Sequence, residues 1–177
     1  MKSNALIVGL LLCSSPAFSN VTENNMACYQ SAYAEYVDIS LDWYQDLLDI
    51  AVTNEPEMKD VADWFMAGRE THFGFNQAAF NWYLENEPQH LQLNLPVESW
   101  LAVEQAEVRT MAQDAQHPLQ AQAQALYALR QGAPHPQNYA LRSTFADLLS
   151  HPQQIDVPLN NYNQRMDALL NKSCATL

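Results

Sequence analysis

Residues Glu57–Glu87 read EMKDVADWFMAGRETHFGFNQAAFNWYLENE. At helical pitch, Val61, Trp64, Phe65, Gly68, His72, Phe75, Ala79, Trp82 and Tyr83 fall on one face, and Met66, Phe73, Phe80 and Leu84 widen it on one flank. Asp60, Asp63, Glu70, Gln77, Asn81 and Glu85 occupy the remaining sector. The pattern predicts a long central helix, buried over a broad side and wetted along a narrow one. Asn54-Glu55-Pro56-Glu57 predicts its start, with Asn54 as N-cap, Glu57 three residues on and Pro56 in the first turn. Glu87-Pro88 predicts its end, because proline pushes the preceding residue out of helical geometry.

Upstream, a second amphipathic pattern spans about Asn24 to Val52. Met26, Tyr29, Tyr33, Tyr36, Val37, Tyr44, Leu47, Leu48 and Ala51 share a face, and Glu35, Asp38, Asp42, Asp46 and Asp49 form a ridge opposite. Downstream, Pro96 introduces a helix expected over Val97–Gln116, whose stripe of Trp100, Leu101, Val108, Met111 and Ala115 contains Glu104 as a partly buried carboxylate. The last third is rich in Gln and Ala and is punctuated by His-Pro pairs at His117, His135 and His151, which read as turns. Short helices are expected at Pro118–Gln131, Pro136–Leu149 and Pro158–Asn171, the last capped by Asp156. No alternating strand pattern and no Asn-Gly or Asp-Gly hairpin turn appears. The expected fold is all-α, a single domain of five to six helices in an irregular bundle or orthogonal array.

The first residues suggest export. Lys2, the apolar run Ala5–Leu12 and Ala17-Phe18-Ser19 match a signal peptide cleaved after Ser19, leaving 20–177 as the helical domain in the periplasm or outside the cell. Cys13 departs with the signal, so Cys28 and Cys174 form an even pair near the two ends of an exported chain and are expected to make a disulfide.

Charge is unevenly spread. The chain holds 20 acidic against 8 basic residues, and from Asn20 to Asp114 17 acids stand against Lys59, Arg69 and Arg109 alone. Such a surface repels nucleic acid and anionic lipid and attracts a basic or cationic protein partner. No run is long enough for a membrane span, and the oligomeric state is left open. Nucleotide-binding, haem-attachment, metalloprotease and serine-hydrolase fingerprints are missing, so no cofactor, metal or catalytic residue is indicated.

Three features bear on function. The acidic ridge of Glu35, Asp38, Asp42, Asp46 and Asp49, with Trp43 at its border, describes a partner-binding surface in which the aromatic anchors and the charges steer. On this ground the leading expectation is a non-enzymatic interaction protein, such as an inhibitor or immunity-type partner of a basic protein. The alternative is a ligand pocket around His72: Gly68 removes side-chain volume one turn away, Trp64 and Phe75 supply aromatic walls, and Arg69 or Glu104 partners the imidazole. Third, Gly68-Arg69-Glu70-Thr71-His72-Phe73-Gly74 resembles the G-x-E-T-x-aromatic-G segment around the catalytic glutamate of a family of membrane-bound lytic murein transglycosylases. That resemblance implies Glu70 as a general acid. It covers seven residues, without the family's downstream glycine-rich motif.

Overall fold

The computed structural model describes residues 23–172 and 174. The expected export signal lies outside the described residues. Six α-helices and four short 3-10 turns follow one another, and no strand occurs among the described residues. Helix α1 (Glu23–Asn54) has neither glycine nor proline to interrupt it, and α2 (Lys59–Asn86) is joined to it by the 3-10 turn Pro56–Met58. The two run antiparallel. Near the turn, Leu48 and Ala51 of α1 meet Val61 and Ala62 of α2, while towards the far end Tyr33 stacks on Phe80 with centroids 4.0 Å apart and planes 7° from parallel. Phe75 and Phe80 are almost fully buried. Removing one such ring from water contributes about 1.5–3 kcal/mol, which outweighs the cost of about 1 kcal/mol for each glycine within α2.

Beyond α2, the chain folds around Trp100 before α3 (Gln105–Gln113) and α4 (Gln120–Gln131) form a second hairpin, whose α4 packs on α2. The Trp100 ring sits between Tyr29 (5.3 Å) and Phe80 (5.8 Å). Helix α5 (Asn138–Ser150) closes the turn end of the first hairpin: Leu141 joins Leu48, Met58 and Val61, and Phe145 meets Phe65 edge-on. Helix α6 (Asp156–Leu170) lies along α1. Cys28 and Cys174 form the expected disulfide, with Cα atoms 5.5 Å apart.

Four local expectations give way. Asn54 is not an N-cap: α1 continues through it, Glu55 N–H donates to the Ala51 carbonyl, and Pro56 then starts a 3-10 turn with no side-chain cap. The helix expected over Val97–Gln116 is broken. Only Val97–Ser99 winds as 3-10, then 101–104 is irregular and the α-helix waits until Gln105. The reason is tertiary, since burying Trp100 requires its indole N–H to find a partner, and it donates to the Leu95 carbonyl at 2.7 Å in a bend that a helix could not supply. In consequence Glu104 lies at the N-cap position and is exposed, so it is not the partly buried carboxylate that the stripe implied. Asp156 begins α6 as its first residue instead of capping it.

Candidate functional site

Gly68 and His72 lie one turn apart on α2, and the missing side chain at Gly68 opens a recess towards α4. Its α2 wall is Trp64, Phe65, Gly68, Arg69 and His72, its α4 wall is Leu126, Leu129 and Arg130, and its volume is about 230 Å³. A Cβ placed on Gly68 would stand 3.8 Å from Leu129 Cδ1, an ordinary van der Waals distance. The glycine therefore leaves space and does not relieve a clash. On the opposite side, a second recess of about 430 Å³ opens towards α1 and the segment 98–103, where Tyr36, Tyr44, Asn76 and Glu98 contribute. Arg69, His72 and Arg130 line both, so the two recesses adjoin along these three side chains.

Arg69 is half-buried, with its guanidinium 5.1 Å from the Phe65 ring centroid and 5.6 Å from that of Tyr44. Its Nε is buried without a hydrogen-bond partner, and among the described residues no carboxylate forms an ion pair with it. Arg130 is more exposed and donates to Gln105 Oε1 at 2.5 Å. Burial, helped by the Arg69 and Arg130 charges, pulls the His72 imidazole down from 6.5 to about 4, so the ring is neutral at pH 7. Asn76 Nδ2 lies 3.3 Å from His72 Nε2. An amide nitrogen only donates, so Nε2 accepts and the ring proton resides on Nδ1.

Of the residues that the sequence suggests for a pocket, His72, Gly68, Trp64 and Arg69 come together here. Phe75 does not line the recess: it is 1% exposed, in the core. Glu104 is likewise absent from the lining, and the carboxylate at this cleft belongs to Glu98, which the bend around Trp100 carries there. Arg130 and Leu129 were not legible as site residues, because nothing in the sequence pairs α4 with α2.

The acidic ridge is partly engaged inside the molecule. Arg165 of α6 holds Asp42 at 2.6 Å, Lys172 pairs with Glu35, and Asp49 accepts a hydrogen bond from Gln45. Trp43 is half-buried against Tyr162 of α6, 5.3 Å between centroids, so it is not a free anchor. Asp38 remains exposed, and burial together with Asp42 and Asp49 raises the Asp46 carboxyl above its usual range. Glu70 is exposed and does not line the cleft.

The His-Pro histidines serve turns. His117 Nδ1 accepts from Leu119 N–H and His135 Nδ1 from Gln137 N–H, in each case the first amide after the proline that has none. A further recess of about 420 Å³ near the Pro56 turn is lined by Gln45, Asp49, Lys59 and Asp63, but its lysine is already paired with Asp63 at 2.5 Å. Among the described residues no group of three His, Cys, Asp or Glu side chains gathers to hold a metal ion, and no helix is long and apolar enough to cross a membrane. No family model, no curated protein and no solved structure matches the chain.

Proposed function

We propose that the protein is an exported small-ligand-binding protein whose site is the cleft around Gly68, Arg69 and His72. One observation carries this reading: two recesses adjoin along Arg69, His72 and Arg130, and the half-buried arginine among them is supported by aromatic faces without an acceptor of its own. Buried charged groups are ordinarily paired or hydrogen-bonded, so an arginine left this way at a cleft marks a place where a ligand completes the bonding. Export is supported by the Cys28–Cys174 disulfide, a bond that persists in oxidising compartments. The test is a thermal-shift screen of anionic, neutral and cationic small molecules, repeated with Gly68→Leu, whose side chain enters the recess. Binding raises the melting temperature of the natural chain, and the leucine removes that rise. A screen without a single stabilising compound overturns the reading.

Docking of a basic protein partner is the second reading. It is supported by Asp46, whose carboxyl is raised above its usual range by burial first and by the Asp42 and Asp49 charges second, and a cation would relieve the second part. Against it, Arg165 of α6 already occupies Asp42, Lys172 just beyond α6 occupies Glu35, and Tyr162 packs on Trp43. A pull-down from periplasmic extract at low and high salt is its measurement, and the absence of any salt-sensitive partner excludes it. With Glu70 outside the cleft, no observation favours the murein hydrolase.

A further inference from the structure

The geometry points to a small organic carboxylate with a flat apolar body as the ligand, its charge held between Arg69 and Arg130 and its ring seated against Trp64 and Leu129. The inference rests on the ligand-binding reading and specifies its chemistry. Acids outnumber bases 20 to 8 in this chain, yet the recess between α2 and α4 is lined by two arginines and no carboxylate. Charge is therefore locally reversed, and what reverses it is not consumed by an internal ion pair: among the described residues neither Arg69 nor Arg130 has a carboxylate partner. A guanidinium donates in a planar fork that matches a carboxylate.

His72 adds to the same preference. A neutral imidazole whose Nε2 is occupied by Asn76 presents Nδ1–H, and that nitrogen has no hydrogen-bond partner among the described residues. Three donor-bearing side chains thus line one recess that no carboxylate lines, and only Arg130 has an acceptor already, Gln105 Oε1. The rest of the wall is apolar, with an indole and a phenyl ring on α2 and two leucines on α4. At about 230 Å³ the recess is smaller than the roughly 300–1,000 Å³ that suits drug-sized molecules, which limits the body to one or two rings. Glu98 stands in the adjoining recess and not in this one, so it bars the anion from the wider side and leaves the α2–α4 side for it. An inorganic anion would satisfy the arginines but leave the apolar wall unused.

Isothermal titration with naphthoate, naphthamide and inorganic phosphate tests this on the natural chain, Arg69→Met and Arg130→Gln. Naphthoate is expected to bind about tenfold more tightly than the isosteric amide, the difference made by one charge-assisted hydrogen bond. Arg130→Gln, at an exposed position where folding is not at stake, weakens naphthoate by about threefold and naphthamide by less, so that the preference narrows. Arg69→Met removes the preference altogether. If naphthamide binds as well as naphthoate, or only neutral or cationic members of the screen bind, the carboxylate assignment fails while the cleft stands as a ligand site. If phosphate equals naphthoate, the apolar body is wrong. If nothing of any charge binds, the ligand-binding reading fails with it.

Discussion

His72 is neutral because its surroundings penalise charge, and the penalty has a sign that can be measured. Burial comes first and the Arg69 and Arg130 charges second, from α2 itself and from α4; Asn76, Tyr36, Tyr44 and Glu98 are the other polar groups lining the recess that opens towards α1. In the unfolded chain the imidazole titrates near 6.5, whereas in the folded protein it titrates near 4. Between those values the unfolded state binds a proton that the folded state does not, so stability is lost as pH falls through the window. Above 6.5 both states are neutral and the residue contributes no slope. His72→Gln removes the effect. The urea midpoint of the variant is expected to fall less than that of the natural protein between pH 7 and pH 4. Parallel midpoints across that range would mean that His72 is free to protonate in the fold.

At the scale of the helix, the aromatic flank of α2 sets both the fold and its energetics. Phe80 is fully buried, stacked on Tyr33 of α1 and 5.8 Å from Trp100, so it joins three parts of the chain. Phe80→Ala is expected to cost about 3–5 kcal/mol in urea unfolding, since the ring leaves a cavity that rigid neighbours on three sides do not refill. A loss under about 1 kcal/mol would show that the three rings are not packed as described. This flank was legible in the sequence. A pattern sustained over 28 residues fixes helix type, buried side and length, and Pro88 fixes where it stops. Helix α3 was not legible in the same way, because its stripe runs without interruption through Trp100 and Glu104. Only the burial of the Trp100 ring, satisfied through Leu95, breaks the helix there. The same limit applies to the site. Trp64, Gly68, Arg69 and His72 were found because they share one helix. Leu129, Arg130 and Glu98 came from elements whose placement depends on which helix packs against which, and periodicity is silent on that.

For the whole molecule, the question is what holds α6 to the rest. The ion pairs with α1, Arg165 of α6 to Asp42 and Lys172 just beyond α6 to Glu35, are solvent-exposed, and pairs of that kind contribute about 0–1 kcal/mol each. The apolar contacts of α6 are Met166 and Leu169 in the main core, Tyr162 packed beside them and against Trp43, and Leu159 near Leu47 and Leu148. The disulfide adds a covalent tether to this packing. Closing a loop across 146 residues corresponds to about 5 kcal/mol in the chain-entropy description, and removal of such bonds from exported domains costs about 2–5 kcal/mol. A Cys28→Ser, Cys174→Ser double variant is expected to lose that amount in urea unfolding. Hydrogen exchange locates the loss. Amides of α6 should exchange faster by a larger factor than those of α2, because α2 runs through the middle of the shared core whereas α6 contributes only Met166 and Leu169 to it. Equal acceleration in both helices would mean that α6 is an integral part of one cooperative core and that its contacts with Asp42 and Trp43 do not open by themselves. Selective acceleration would instead mean that the reduced chain frees Asp42 and Glu35 from their ion pairs and Trp43 from Tyr162 more often, so that any basic partner of that surface would bind the reduced form more tightly than the oxidised one.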